Sequence, residues 1–201
     1  MPLGEWIFRE SCARAKAWRI DGCAPLKVAI NVSAVQFSNP VLGNLVAEIL
    51  EKTELPHQQL ELEITESLLM QDIDRAIPLL SEFRKMAVGI WIDDFGTGYS
   101  SLSYLKKLPI TGLKIDRSFV KNMQKDSNDA AIAAAIVGLA KNLNVSVVAE
   151  GVELEAQLKL LDKQGCHYAQ GYLYAKPLTH AEFEDWTKQW NSQFETQVVN
   201  S

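Results

Sequence analysis

The chain has 201 residues, 47% of them hydrophobic and 22% charged, and a formal net charge of −5. That is apolar mass for one domain with a proper core, and the acidic balance argues against a chain that wraps a DNA or RNA polymer. No run approaches the roughly 20 apolar residues of a membrane span, and Glu5, Arg9, Glu10 and Arg14 interrupt the N-terminal stretch too often for a secretory signal.

Residues 4–20 carry apolar positions at helical spacing, and Asp21-Gly22 ends them. KVAINVS, residues 27–33, reads as a strand, and 40–53 as a helix. LELEIT, 60–65, is the second strand, followed by a helix over 72–86. A strand over 88–93 leads to a short helix over 100–107. A strand over 112–115 precedes an alanine-rich helix over 127–143. A strand over 145–149 precedes a helix over 154–164. The sixth strand spans 167–173. Thr179 caps a last helix that runs to about residue 193, and the residues from 195 onward form a frayed tail.

Serial β-α units imply parallel strands with right-handed crossovers, either an open doubly wound sheet or a (β/α)₈ barrel. No GxGxxG follows the first strand. Instead a polar residue stands at or near the C-terminal end of each strand: Asn31, Glu63, the pair Asp93 and Asp94, Lys114 with Asp116, Glu150, and Gln170. In a barrel those ends form one ring. Period two agrees, because Ala29, Asn31 and Ser33 share one face and Lys114 shares one with Asp116. Asp93 and Asp94 are adjacent, so they converge only if the turn into Phe95-Gly96 redirects one of them.

Several carboxylates and a carboxamide without histidine make an all-oxygen site, which suits Mg²⁺ or Mn²⁺, and so many acids together are easier to justify with two ions than with one. Two such ions can clamp the attacking and leaving oxygens of a phosphodiester, with Lys114 orienting the water, helping to deprotonate it, or neutralising a phosphate oxygen. Each residue alone has a blander reading: Glu150 as a helix cap, Lys114 as a snorkelling surface lysine, Gln170 as a polar spacer. Six at equivalent strand ends are harder to dismiss. Asp94-Phe95-Gly96 matches the kinase triplet, but no companion kinase motif is present. His57, His167 and His180 show no ligand spacing, and Cys12, Cys23 and Cys166 lack CxxC spacing, so the thiols read as reduced and the chain as cytoplasmic.

INVSAVQF, LELEITES, IDDFGTGYSSLSYLKKLPITGLKIDRSFV, VVAEGVE and AQGYLYAKPL closely resemble, in order and spacing, the motifs of the bacterial EAL domain. The resemblance implies a cyclic di-GMP phosphodiesterase that produces linear pGpG on a variant (β/α)₈ barrel, with the domain spanning residues 1–194. It implies Asn31, Glu63 and Asp93 as ligands of a first metal, and Asp94 and Glu150 as ligands of a second, with Asp93 bridging. Lys114 then positions the nucleophilic water, Gln170 contacts water or substrate, and Asp116 and Glu153 are substrate contacts. Glu66 anchors the loop Phe95, Gly96, Thr97, Gly98, Tyr99, Ser100 and Ser101, which couples dimer contacts to metal binding. Ca²⁺ is expected to occupy the site and inhibit.

The chain departs from the pattern in one respect. The Glu-Ala-Leu motif that names the family, and the arginine that follows it, are absent. The resemblance therefore implies an N-terminally truncated barrel of about six strands, whose exposed edges favour a homodimer or other self-association. The alternative to the enzyme is a catalytically weak domain that binds cyclic di-GMP or another protein. An upstream sensory or GGDEF module, tethered to the inner membrane or not, is compatible with either. Glu61 faces inward with Glu63, either paired or open to water.

Overall fold

The computed structural model describes residues 3–18, 25–98 and 102–198. Among them six strands form one sheet: β1 (Val28–Asn31), β2 (Leu60–Thr65), β3 (Gly89–Phe95), β4 (Gly112–Ile115), β5 (Ser146–Ala149) and β6 (Tyr168–Ala169). They lie in chain order and every neighbouring pair is parallel, so β1 and β6 are the two edges of an open half-barrel.

Alternation along the strands sorts residues between the two faces. Leu62, Ile64, Ile90, Ile92, Leu113, Ile115 and Val147 are all 0% exposed and join the apolar core under the helices. That helical layer includes α3 (Leu42–Thr53), α5 (Ile73–Lys85), α8 (Ser127–Leu143) and α9 (Glu155–Gln164), which contribute Val46, Leu80, Phe83, Ala140 and Leu161. Truncating one of these, such as Leu62→Ala, removes transfer energy and leaves a cavity, at about 2–5 kcal/mol. Helices α3, α8 and α9 end where the backbone turns left-handed, at Glu54, Asn144 and Gly165. Helix α1 (Leu3–Ala17) packs Phe8, Cys12 and Ala15 into the same core.

The opposite, inward face holds the polar residues. Strand pairing sets Asn31 beside Glu63, Glu63 beside Trp91, and Lys114 beside Val148. Trp91 is 5% exposed and lies across Gly112, where an added Cβ would come within 2.2 Å of the indole. Glu61 is paired rather than stranded: Lys27 Nζ lies 2.8 Å from its carboxylate, and its stem lies against Gly89.

The architecture is the expected one, with local differences. Three short helices were not expected: α2 (Ala34–Phe37), α4 (Glu66–Gln71) and α7 (Arg117–Asn122). Each is under two turns, too short to display a helical period. Their caps explain α2 and α7, where Ser33 and Asp116 accept from the first-turn N–H groups of Gln36 and Ser118. The sixth strand is not 167–173 but Tyr168–Ala169, because Gly171 drops onto the backbone of Val152 and the chain turns away. Helix α6 (Leu102–Leu105) occupies part of the expected 100–107 segment, and α10 (His180–Val198) continues past the expected end near residue 193. Tyr99, Ser100 and Ser101 of the expected loop, and Cys23, lie outside the described residues.

Candidate active site at the strand ends

Strand β3 solves the problem of adjacent aspartates by an irregularity. Its register against β4 shifts between Ile92 and Phe95, and Asp94 is left-handed at φ 53°. Extra length in one strand reorients the side chains that follow. Asp94 N–H donates to Asp93 Oδ1 at 3.0 Å, and one oxygen each from Asp93, Asp94 and Glu150 lies within 4.8 Å of the others. The two aspartates do converge, with Asp94 itself making the turn.

Lys114 is the cation of this cluster. It is 4% exposed, and its Nζ is 2.7 Å from Glu150, 2.8 Å from Glu63 and 3.2 Å from Asp93. That excludes the snorkelling reading. Burial alone would lower the pKa of this ammonium, but its hydrogen bonds to Glu150 and Glu63 outweigh burial and hold it above the ordinary lysine range. Burial pushes the Glu150 carboxyl up, opposed by Lys114 and reinforced by the charges of Asp93 and Glu63. Asp94 is raised as well, by desolvation and then by Asp93 and Asp116. Burial also acts to raise Asp116, but hydrogen bonds from the Ser118 hydroxyl and N–H bring it below the usual carboxylate range.

The donor set tests well against divalent cations. It consists of oxygens, the acids outnumber Lys114, and three carboxylates stand close enough to share an ion. Asn31 is exposed at the end of β1, on the same face as Glu63. Gln170 follows β6 and is tied in by backbone, its N–H donating to Ala149 O at 2.8 Å while its carbonyl accepts from Val152 N at 3.0 Å. Glu153 lies exposed in the turn after β5.

Glu66, at the start of α4, is 1% exposed and accepts from Gly96 N at 2.9 Å through Oε2. Its Oε1 has no hydrogen-bond partner among the described residues and lies where a Cβ on Gly98 would come within 2.8 Å. Glu66 and the start of the loop are therefore in contact. The strand-end reading passed over Gln157, a buried polar residue at the start of α9. The signal was present as a glutamine three residues after an N-cap position, but Leu154 stands there in place of a capping hydroxyl.

Residues 1–177 match the EAL domain family. The chain is 47% identical over 176 residues to the bifunctional diguanylate cyclase/cyclic di-GMP phosphodiesterase MucR of Pseudomonas aeruginosa, a match that covers 88% of this chain and 26% of MucR. The chain thus spans about a quarter of that relative's length. Its fold superposes on the MucR phosphodiesterase in complex with cyclic di-GMP with a TM-score of 0.87 at 45% identity, covering 90% of this chain and 73% of that one. It also resembles Klebsiella pneumoniae BlrP1, solved with cyclic di-GMP and either calcium or manganese, at a TM-score of 0.77 and 27% identity over 87% of this chain and 44% of that one. With that match across most of its length and acids, amide and lysine gathered at the ends of parallel strands, the chain belongs to the EAL domain family.

Proposed function

We propose that this domain binds cyclic di-GMP and hydrolyses it to linear pGpG, using two Mg²⁺ or Mn²⁺ ions. The observation that carries the reading is the buried Lys114 ringed by Glu63, Asp93 and Glu150, beside the Asp93–Asp94–Glu150 cluster. Asn31, Glu63 and Asp93 would hold one ion, and Asp93, Asp94 and Glu150 the other. Such ions supply Lewis acidity towards phosphate oxygens and lower the pKa of a water.

The chain's residues position what reacts. Lys114, fixed by three acids, is a hydrogen-bond donor that orients the attacking water or a phosphate oxygen. The water oxygen forms the new bond to phosphorus as the ribose 3′ oxygen leaves and takes up a proton, so one phosphodiester opens. Gln170, Asp116 and Glu153 line the approach at neighbouring strand ends. Glu66 holds Gly96 and so the start of the loop over the site. In the same reading Ca²⁺ binds without supporting turnover, since it is a poorer Lewis acid that accepts irregular coordination.

The domain works in the cytoplasm as one module beside sensory or GGDEF modules, a reading supported by its 26% share of bifunctional MucR. Among the described residues no helix is long and apolar enough to cross a membrane. The open edges β1 and β6 support pairing with a second copy.

The test is calorimetric titration of the chain with Mn²⁺ and then cyclic di-GMP, with pGpG followed by chromatography. Metal-dependent nucleotide binding that Asp93→Asn abolishes is expected, with slow turnover. Metal-independent binding, or none, would overturn the proposal, while tight binding without any pGpG would favour a binding module.

A further inference from the structure

The turn that carries Glu150 and Glu153 is held from two sides. On one side Val152 is clamped by backbone: its N–H donates to Gln170 O at 3.0 Å, and its carbonyl accepts from Leu173 N at 2.9 Å. On the other side stands Gln157, a neutral side chain that is 2% exposed. Its Oε1 accepts from Glu153 N at 2.8 Å and Leu154 N at 2.9 Å. Its Nε2 donates to Val120 O at 3.1 Å and Lys121 O at 3.4 Å. Those carbonyls belong to the last turn of α7, where a helix leaves its acceptors without partners, and the two N–H groups are those of the α9 N-cap, Leu154, and of the residue before it.

One amide therefore joins the turn after β5 to the helix that follows Lys114 and Asp116. The approach is close, since a Cβ on Gly151, at φ 68°, would come within 2.7 Å of Arg117 Cβ. Glu150 and Lys114 lie 2.7 Å apart on these two segments, and their alignment depends on the segments staying in register. We propose that Gln157 is a positioning residue that sets Glu150 against Lys114 and the aspartates, and so tunes metal affinity without touching the metal. The inference rests on the metal-dependent reading of this site. Losing a group that orients a metal ligand typically costs about 10- to 100-fold in metal affinity.

Two substitutions separate positioning from simple helix capping. Gln157→Glu keeps an acceptor for the Glu153 and Leu154 N–H groups but cannot donate to Val120 and Lys121. Gln157→Leu removes both arms. Leu161→Ala, in the core of the same helix, is the control for general destabilisation. Mn²⁺ affinity would be measured by electron paramagnetic resonance, and protection of the Val152 amide by hydrogen exchange relative to buried strand amides, below the melting range of every variant.

We expect both Gln157 variants to weaken Mn²⁺ binding by about tenfold or more and to lower Val152 protection, with the control near wild type on both. If Gln157→Glu matches wild type on both readouts, or if the control loses as much as the Gln157 variants, Gln157 is only a cap or core residue and the inference is wrong. If the wild-type chain binds no Mn²⁺, the proposed function fails, and Val152 protection alone then decides whether Gln157 tethers the turn.

Discussion

Lys114→Met is the most informative single perturbation. It keeps a long apolar stem and deletes the cation that, among the described residues, pairs with Glu63, Asp93 and Glu150. Removing one partner from a buried ionic cluster leaves uncompensated charge, at about 3–5 kcal/mol. For a domain of this size each kcal/mol moves Tm by roughly 2–4 °C, so the metal-free variant should melt about 6–20 °C lower. The pH dependence follows from the shifts. Lys114 is raised above its ordinary 10.5, so its contribution is fully present at neutral pH and is lost only as pH climbs past the lysine range. Glu150 is raised already, and losing Lys114 raises it further. A raised carboxyl favours the folded state at low pH and costs stability as pH rises through its folded value. The deficit of the variant should therefore be smaller at pH 5 than at pH 8. Calorimetric melting at both values, with and without Mn²⁺, reads it, and a divalent cation should restore part of the loss at pH 8. A variant that melts within a degree of wild type at pH 8 without metal would refute the reasoning.

Mn²⁺ and Mg²⁺ should support whatever cyclic di-GMP hydrolysis the domain shows, while Ca²⁺ binds and inhibits; equal rates in Ca²⁺ or in chelator would exclude the two-metal chemistry. Gly112→Ala should destabilise by about 1–3 kcal/mol, since the new methyl collides with Trp91, and should shift tryptophan fluorescence; an unchanged denaturation midpoint would contradict that packing. Burial raises the Cys12 thiol to about 11, which leaves about one thiolate in a thousand at pH 8, so native Cys12 should resist iodoacetamide until the protein unfolds, as peptide mapping would show. The isolated chain should self-associate through its open edges, and light scattering that reports a monomer at every concentration would contradict this.

The sequence conveyed more of the site than of its connections. Polar residues at strand ends are visible as breaks in apolar runs, and period two places Lys114 and Glu63 on the inward face without any structure. The convergence of Asp93 and Asp94 could be stated only as a requirement, because the turn depends on a left-handed Asp94 where glycine would be the usual signal. The sixth strand was overread because Tyr172 and Leu173 extend an alternating pattern, whereas the close approach of Gly171 to Val152 is a tertiary fact. Gln157 was missed for a related reason: its four hydrogen-bond partners include two on α7, more than thirty residues away.

The distribution of burial across the site has a consequence of its own. Glu63, Asp93 and Lys114 stand on β2, β3 and β4, and Glu150 follows β5, so all four arise from strands paired on both sides. Their mutual distances are fixed by the interior of the sheet and do not depend on its edges. Asn31 ends the edge strand β1 and Gln170 follows the edge strand β6, and both are exposed. A carboxylate cluster held by Lys114 can thus form in a half-barrel, while Asn31 and Gln170, the proposed ligand and contact at the edges, have no flanking strand among the described residues to hold them. Metal binding through Asp93, Asp94 and Glu150 should therefore depend less on the state of the edges than binding through Asn31. Whatever covers those edges, a second copy or another segment, acts first on the Asn31 side of the site.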